Sequence, residues 1–200
     1  MVGDVSKYVF LVGLILAEAI RAPHRRRHKK EWKQRKFAVS RVTGGGVALD
    51  MIGFIGMEVI PLVYVLTPWL SFADYGLPPW ISLLGIPTFA VALWLLWRSH
   101  ADLGRNWSPT LQIMEGHSLV TEGVYRSIRH PIYAALWLWG IAQAALVQNW
   151  VAGLAGLASF IPIYVLRVPQ EERMMIDHFG DEYRSYMERT GRVVPPLRRQ

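Results

Sequence analysis

The feature that most constrains this chain is the recurrence of apolar runs of membrane-spanning length: Val47–Leu70, Trp80–Trp97, Ile132–Val147 and Trp150–Val168, set apart by polar segments. A helix of about 20 apolar residues crosses a bilayer, and inside lipid every backbone N–H and C=O must be satisfied within the segment, so such runs fold as helices. A shorter run, Tyr8–Ile20, carries Glu18 and needs its flanks to cross. The pattern predicts an all-α integral membrane protein with about five transmembrane helices. With 52% apolar residues and nine tryptophans, the composition agrees.

The net charge of +7 is not spread along one soluble face. Ten basic residues fall in 21–41, four in 98–131 and seven from Arg167 onward, leaving only Lys7 elsewhere. Basic residues gather in cytoplasmic loops, so five spans put the N-terminus outside and the C-terminus inside. The connection Ser71–Pro79 has no lysine or arginine and should lie on the far side. The expected partner of this charge is the lipid bilayer, with its anionic headgroups, and not nucleic acid. No cysteine is present, which excludes a disulfide framework and a thiolate nucleophile.

Two regions follow: an N-terminal membrane region, 1–98, with three spans and a basic cytoplasmic loop at 21–41, and a catalytic region, 99–200. Residues 99–131 are too polar to span and too long for a bare connection. Leu111-Gln112-Ile113 and Ser118-Leu119-Val120 around Glu115-Gly116-His117 suggest a small hairpin at the surface. Gln148-Asn149 is a tight turn that makes the last two spans an antiparallel hairpin and returns Arg167 to the level of Arg129 and His130. Beyond Pro169, Met175, Phe179, Tyr183 and Tyr186 recur at near-helical spacing, predicting an amphipathic cytoplasmic helix that covers the long loop and ends at Gly191. Asp50 and Glu58 lie within the second span, about 80° apart on a helix, where acids are costly and need partners.

The densest chemistry is Gly123–Tyr133. Pro131 suits the first turn of a helix, which places Arg129 and His130 at a helix mouth whose orphan N–H groups favour an anion. Loop 99–131, the mouths of the last two spans and the amphipathic tail would together wall a cytosolic cofactor pocket. It would offer Arg129, His130 and Arg167 for an anion, Glu171 and Glu172 for a cation, and Tyr125, Tyr133 and Trp137 for a flat ring. S-adenosylmethionine is one ligand that uses all three.

Further motifs carry a resemblance. His117-Ser118-Leu119-Val120, Gly123-Val124-Tyr125, Arg129-His130-Pro131-x-Tyr133, Arg167-x-x-x-Glu171-Glu172, Phe179-Gly180-x-x-Tyr183-x-x-Tyr186 and Arg192-x-x-Pro195 occur in order over roughly residues 100–196. In combination they resemble the isoprenylcysteine carboxyl methyltransferase family, and related phospholipid methyltransferases share parts of the pattern. The resemblance implies an integral membrane methyltransferase that binds S-adenosyl-L-methionine and reaches a lipophilic or prenylated acceptor laterally. It assigns His117, Leu119 and Val120 to loop contacts with the cofactor, and Gly123 and Tyr125 to the turn beneath it. His130, Pro131 and Tyr133 fall to the binding element at the helix mouth, beside the cation of Arg129, and Glu172 or Glu171 to the cofactor's ammonium. Arg167 and Glu171 match the pair next to the transferred methyl.

A prenylcysteine carboxylate is already ionised at neutral pH, so it needs desolvation and aim, not a strong base. Arg167 would hold one oxygen and leave the other to attack. The residues alone also allow Arg167 and Glu171 to form a plain i,i+4 ion pair. Three other functions remain open at this point: a phospholipid N-methyltransferase, an NADPH-dependent membrane reductase, and a non-enzymatic membrane protein. No metal is implied, because His100, His117 and His130 lack close ligand spacing. In this cysteine-free chain, Ser71→Cys should react with an impermeant thiol reagent from outside, and Glu115→Cys only after permeabilisation. The opposite pattern would invert the topology.

Overall fold

The computed structural model describes residues 2–32 and 37–196, with side chains described from residue 5 onward and not for 31 and 32. Helix α1 (Val2–Trp32) leads to the short strand β1 (Phe37–Ser40). Helix α2 (Gly44–Phe54) passes through a π-helical turn, Ile55–Val59, into α3 (Ile60–Leu66), making one rod. Then follow α4 (Pro79–Leu103), β2 (Gln112–Met114), α5 (Pro131–Leu146), α6 (Trp150–Phe179) and α7 (Asp181–Arg189).

The rod Gly44–Leu66, the helix-and-turn Pro79–Asn106 and α6 are long and apolar enough to cross a membrane, and α5 is a shorter apolar helix. Their outer faces carry exposed Val47, Met51, Phe54, Leu83, Val91, Trp94, Ile161 and Val165. Water would penalise such a belt, whereas hydrocarbon does not. Inward, Phe10 of α1 stacks on Phe89 of α4 with ring centroids 5.3 Å apart, and Phe89 meets Trp139 of α5 edge-on at 5.2 Å. Gly13 gives Phe89 its space, since a Cβ there would lie 2.0 Å from the ring.

The π turn joins the rod to α6. A π-helical turn disrupts the regular i→i−4 ladder. Here fully buried Gln143 donates through Nε2 to Gly56 O at 3.0 Å and to Ala152 O at 2.7 Å, clasping three elements. Gly56 sits so near α6 that a Cβ would lie 2.2 Å from Ser159 Oγ and 2.5 Å from the Ala155 carbonyl. Small residues at such contacts let membrane helices approach closely.

The two ends of the bundle differ. At one end Asn149 caps α6 by accepting from Val151 N at 3.0 Å and Ala152 N at 2.9 Å, while its Nδ2 donates to Leu70 O at 2.6 Å and Asp74 Oδ1 at 2.9 Å. The α5–α6 turn and the 71–79 connection are thus knitted together, as the hairpin reading requires. The opposite end holds the long loop and the chain's polar helix termini.

Four local expectations are corrected. The basic segment after Ile20 continues α1 to Trp32 instead of forming a loop, because eight of its first twelve residues are Arg, Lys, Glu or Ala, which favour helix. Residues 33–36 of that segment lie outside the described residues. Strand β2 pairs antiparallel with β1, Ser40 opposite Gln112, and not with Ser118–Val120. The polar helix after Pro169 is no separate element: α6 runs unbroken through Pro162 and Pro169 to Phe179. It stops at Gly180, whose φ of 58° suits glycine, and α7 then ends at Arg189 with Thr190 as its cap.

Gly56→Leu should lower the thermal midpoint in detergent by roughly 5 °C or more, through overpacking against a backbone carbonyl that cannot yield. Gly44→Ala, with nothing within 4 Å of the added carbon, is the matched control and should leave the midpoint in place.

Candidate active site

A cavity of about 470 Å³ opens at the loop end of the bundle. That volume falls within the range of small-molecule sites. His117, Leu119, Val120, Tyr125, Arg129, His130, Pro131, Tyr133, Arg167 and Glu171 all line it. These positions span more than fifty residues of sequence, and helix packing brings them together. The floor is apolar, with Met57, Leu96, Leu136, Phe160 and Ile163 from four helices.

Two expected residues stand behind the wall. Gly123 begins a tight turn with φ 60°, and a Cβ there would lie 2.1 Å from Asp102 Oδ2. That same oxygen accepts from Val124 N at 2.9 Å, while Arg98 Nη2 holds Asp102 Oδ1 at 2.8 Å, so the turn is anchored to the end of α4. Glu172 is the second. It does not line the cavity, and its carboxylate, 5% exposed, receives Arg129 Nε at 2.7 Å, His130 Nε2 at 3.3 Å and Arg192 Nη2 at 2.6 Å.

This network revises the helix-mouth reading. Pro131 does open α5, with His130 at its cap. The N–H groups of Arg129 and His130, however, donate to the carbonyls of Gly191 and Arg192, both at 2.9 Å, and Arg129 Nη1 donates to Thr190 O at 2.5 Å. The anion that the mouth holds is the protein's own Glu172, and the tail is fastened across it. Glu172 is therefore already committed to Arg129, His130 and Arg192, and stands apart from the position expected for holding an ammonium.

Around the cavity, Glu171 Oε2 accepts from Tyr133 OH at 2.9 Å. Arg167 turns from Glu171 to the Asp50 carboxylate on α2, and its Nη2 donates to Pro109 O at 2.7 Å. The plain i,i+4 pair is thus not what forms. Glu58 accepts from Arg21 of α1 at 2.7 Å, as an acid inside a span requires. His117 closes its own turn, its N donating to Met114 O at 3.1 Å and its Nδ1 accepting from Met114 N at 3.4 Å.

Tyrosines under the loop supply neutral donors. Burial pushes the phenol of Tyr125 well above its ordinary value, and burial together with the nearby Glu172 and Glu171 does the same to Tyr183. Tyr186, also raised by burial, donates to Tyr125 O at 2.7 Å. Leu111, Ile113 and Met174 form a small core there with Val39, Met175 and Phe179, so the methionine-aromatic stripe covers the loop as its pattern predicted.

The structure also changes the cast. Trp137 packs on Phe160 and Tyr164, with centroids at 5.1 and 5.5 Å, and is not on the cavity. Trp107 takes an aromatic place on the wall, ringed by His24, His28 and His100 at centroid distances of 6.2, 6.1 and 5.1 Å. Asp50, Glu58, Arg21 and Arg25 bring the N-terminal helices into the lining, which the loop, the mouths of the last two spans and the amphipathic tail were expected to form. The costly acids within a span were the one signal in the sequence that pointed there.

Fold and site define a helical integral membrane protein with an apolar-floored, charge-rimmed chamber at one end of its bundle. The sequence profile of the isoprenylcysteine carboxyl methyltransferase family matches residues 83–177, so this part of the chain is similar to that family. It is 30% identical over 118 residues to protein-S-isoprenylcysteine O-methyltransferase B of Arabidopsis thaliana, covering 58% of this chain and 60% of the relative. The human protein-S-isoprenylcysteine O-methyltransferase is 27% identical over 142 residues, 66% of this chain and 50% of its own length. The chain thus spans between half and three fifths of the length of these relatives. The solved structure of the eukaryotic intramembrane Ras methyltransferase ICMT superposes with a TM-score of 0.51 at 24% identity, covering 78% of this chain and 54% of the other, which shows a shared fold.

Removing one partner of a buried ion network leaves the others uncompensated. Glu172→Ala should therefore destabilise by about 3–5 kcal/mol, read as a lowered denaturation midpoint in detergent. Arg192→Ala, whose side chain is 46% exposed, should cost less.

Proposed function

We propose that this protein transfers a methyl group from S-adenosyl-L-methionine to the α-carboxylate of a prenylated cysteine at the membrane surface. The observation that carries the reading is the convergence of ten motif residues on one cavity, with Arg167 and Glu171 one helical turn apart on its wall. The names of the curated relatives supply the acceptor class.

The donor set fits such a cofactor. Glu171 suits a sulfonium or an ammonium, Trp107 and Tyr125 offer aromatic surface, and the cavity is large enough. When bound, the cofactor supplies an electrophilic methyl on a positively charged sulfur. His117, Leu119, Val120, Tyr125, Pro131 and Tyr133 would hold it from the loop and helix-mouth side. Glu172 would act from behind, fixing Arg129 and His130 where they face the chamber.

The remaining work is positioning. Arg167 would orient the acceptor carboxylate through one oxygen, leaving the other to attack, with Glu171 kept in place by the Tyr133 hydroxyl. The apolar floor excludes water and so raises the reactivity of an oxygen anion whose hydration is removed. The isoprenoid tail needs an apolar path, which the lipid-facing helices provide. An active site at the cytoplasmic face, N-terminus outside, and five crossings complete the reading on the charge distribution.

The test is transfer of radiolabelled methyl by the purified protein to N-acetyl-farnesyl-cysteine, with a phospholipid mixture beside it. Base-labile label on the prenylcysteine is the expected result; label on lipid amines alone would replace the acceptor. Arg167→Ala should then lower kcat/KM by about 100-fold or more while cofactor binding stays measurable. Full turnover in Arg167→Ala and Glu171→Ala would remove both from the mechanism.

A further inference from the structure

Arg167 stands where two cavities meet. Beside the main chamber lies a second space of about 340 Å³ between the start of α2 and the middle of α6, lined by apolar Val42, Val47, Ile52 and Leu166. The two share Asp50, Thr110, Leu111 and Arg167 in their linings. At this shared wall Arg167 is already engaged with a carboxylate, that of Asp50, and its side chain is only 12% exposed against 42% for Asp50. The buried member is thus the cation, and the acid approaches it from the open side.

Under the proposed function, an acceptor must present a carboxylate to the same guanidinium. Asp50 already makes that contact. Two of the five guanidinium donors are taken, one on Nη2 by Pro109 O at 2.7 Å and one on Nη1 by Asp50. An incoming carboxylate therefore competes with Asp50 for the Nη1 side and for the single positive charge. A neutral headgroup, lacking the charge, has no comparable means of displacing it, and neither has the methyl ester once formed.

We propose that Asp50 is an internal competitor for Arg167, a specificity-determining residue that reserves this cation for anionic acceptors and returns to it when the ester has formed. The proposal rests on the methyltransferase reading above. It makes α2 part of acceptor selection, because Asp50 is carried by the helix that walls the second cavity. The contact also neutralises Arg167 between turnovers, which an unpaired cation at that depth requires.

The experiment measures the affinity of N-acetyl-farnesyl-cysteine and of its carboxamide by calorimetry in detergent, with steady-state transfer to the former. Asp50→Asn should tighten the carboxylate and lower its KM about fivefold, the usual weight of a partly exposed ion pair, while the carboxamide changes less than twofold. Asp50→Glu should stay near the parent. In an Arg167→Gln background, Asp50→Asn should leave carboxylate affinity unchanged. A raised or unchanged KM in Asp50→Asn would make Asp50 a brace for Arg167 and overturn the proposal, as would tightening that persists without Arg167, since that reports only the general loss of negative charge. If the parent neither binds nor methylates the prenylcysteine, the functional reading fails and this inference with it. Binding by the parent without the expected shift in Asp50→Asn removes the inference alone.

Discussion

The carboxylate of Glu172 is the point on which the loop end of the molecule depends. It stands on α6, yet its three partners, Arg129, His130 and Arg192, come from the mouth of α5 and from the tail beyond α7. One acid thereby fastens three chain segments that hydrophobic packing alone would leave loosely joined, since the chain there is mostly polar. Burial raises the cost of losing a buried partner, because the desolvated charge is then less compensated. The backbone pairing of residues 127–130 with 191–192 adds direction to the charge. His130 and Arg129 line the chamber while Glu172 holds the polar ends of their side chains from behind.

Elsewhere the governing constraint is that lipid offers no hydrogen bonds. Gln143 answers it at the π turn by donating to Gly56 O, and Asn149 answers it at the far end by capping α6 while tying Leu70 and Asp74. Glycines then do what apolar side chains do in water-soluble cores. Gly13 and Gly56 let α1 meet α4 and the rod meet α6 at distances that any side chain would prevent. Shape complementarity, not exclusion of water, holds these helices together. The chamber floor inherits that rigidity.

Legibility in the sequence follows the same division. Runs such as Trp150–Val168 identify helices because length and apolarity suffice, and Pro131 marks the start of α5 because its missing N–H is harmless only there. Ordered motifs pointed to part of the chamber wall, from the loop, the mouth of α5 and α6. What could not be read is pairing between distant segments. Nothing in Phe37–Ser40 announces a strand partner at Gln112–Met114, since such a short strand has too few residues to show a period. Asp50 was visible as an acid that needs a partner, but any of several cations would have served, and only packing selects Arg167. Glu172 and Glu171 look equivalent as neighbours in sequence; a helix turns them about 100° apart, one into the network and one toward the chamber.

The central claim is that the loop 106–133 and the α6–α7 junction enclose the methyl donor. Ultraviolet cross-linking of radiolabelled S-adenosyl-L-methionine to the purified protein, followed by mapping of the labelled peptides, tests it most directly. The account predicts label on peptides covering residues 106–133 or 171–186, lost when unlabelled cofactor is in excess. Specific label on the far-side segment 71–79, or no competable label at all, would contradict it.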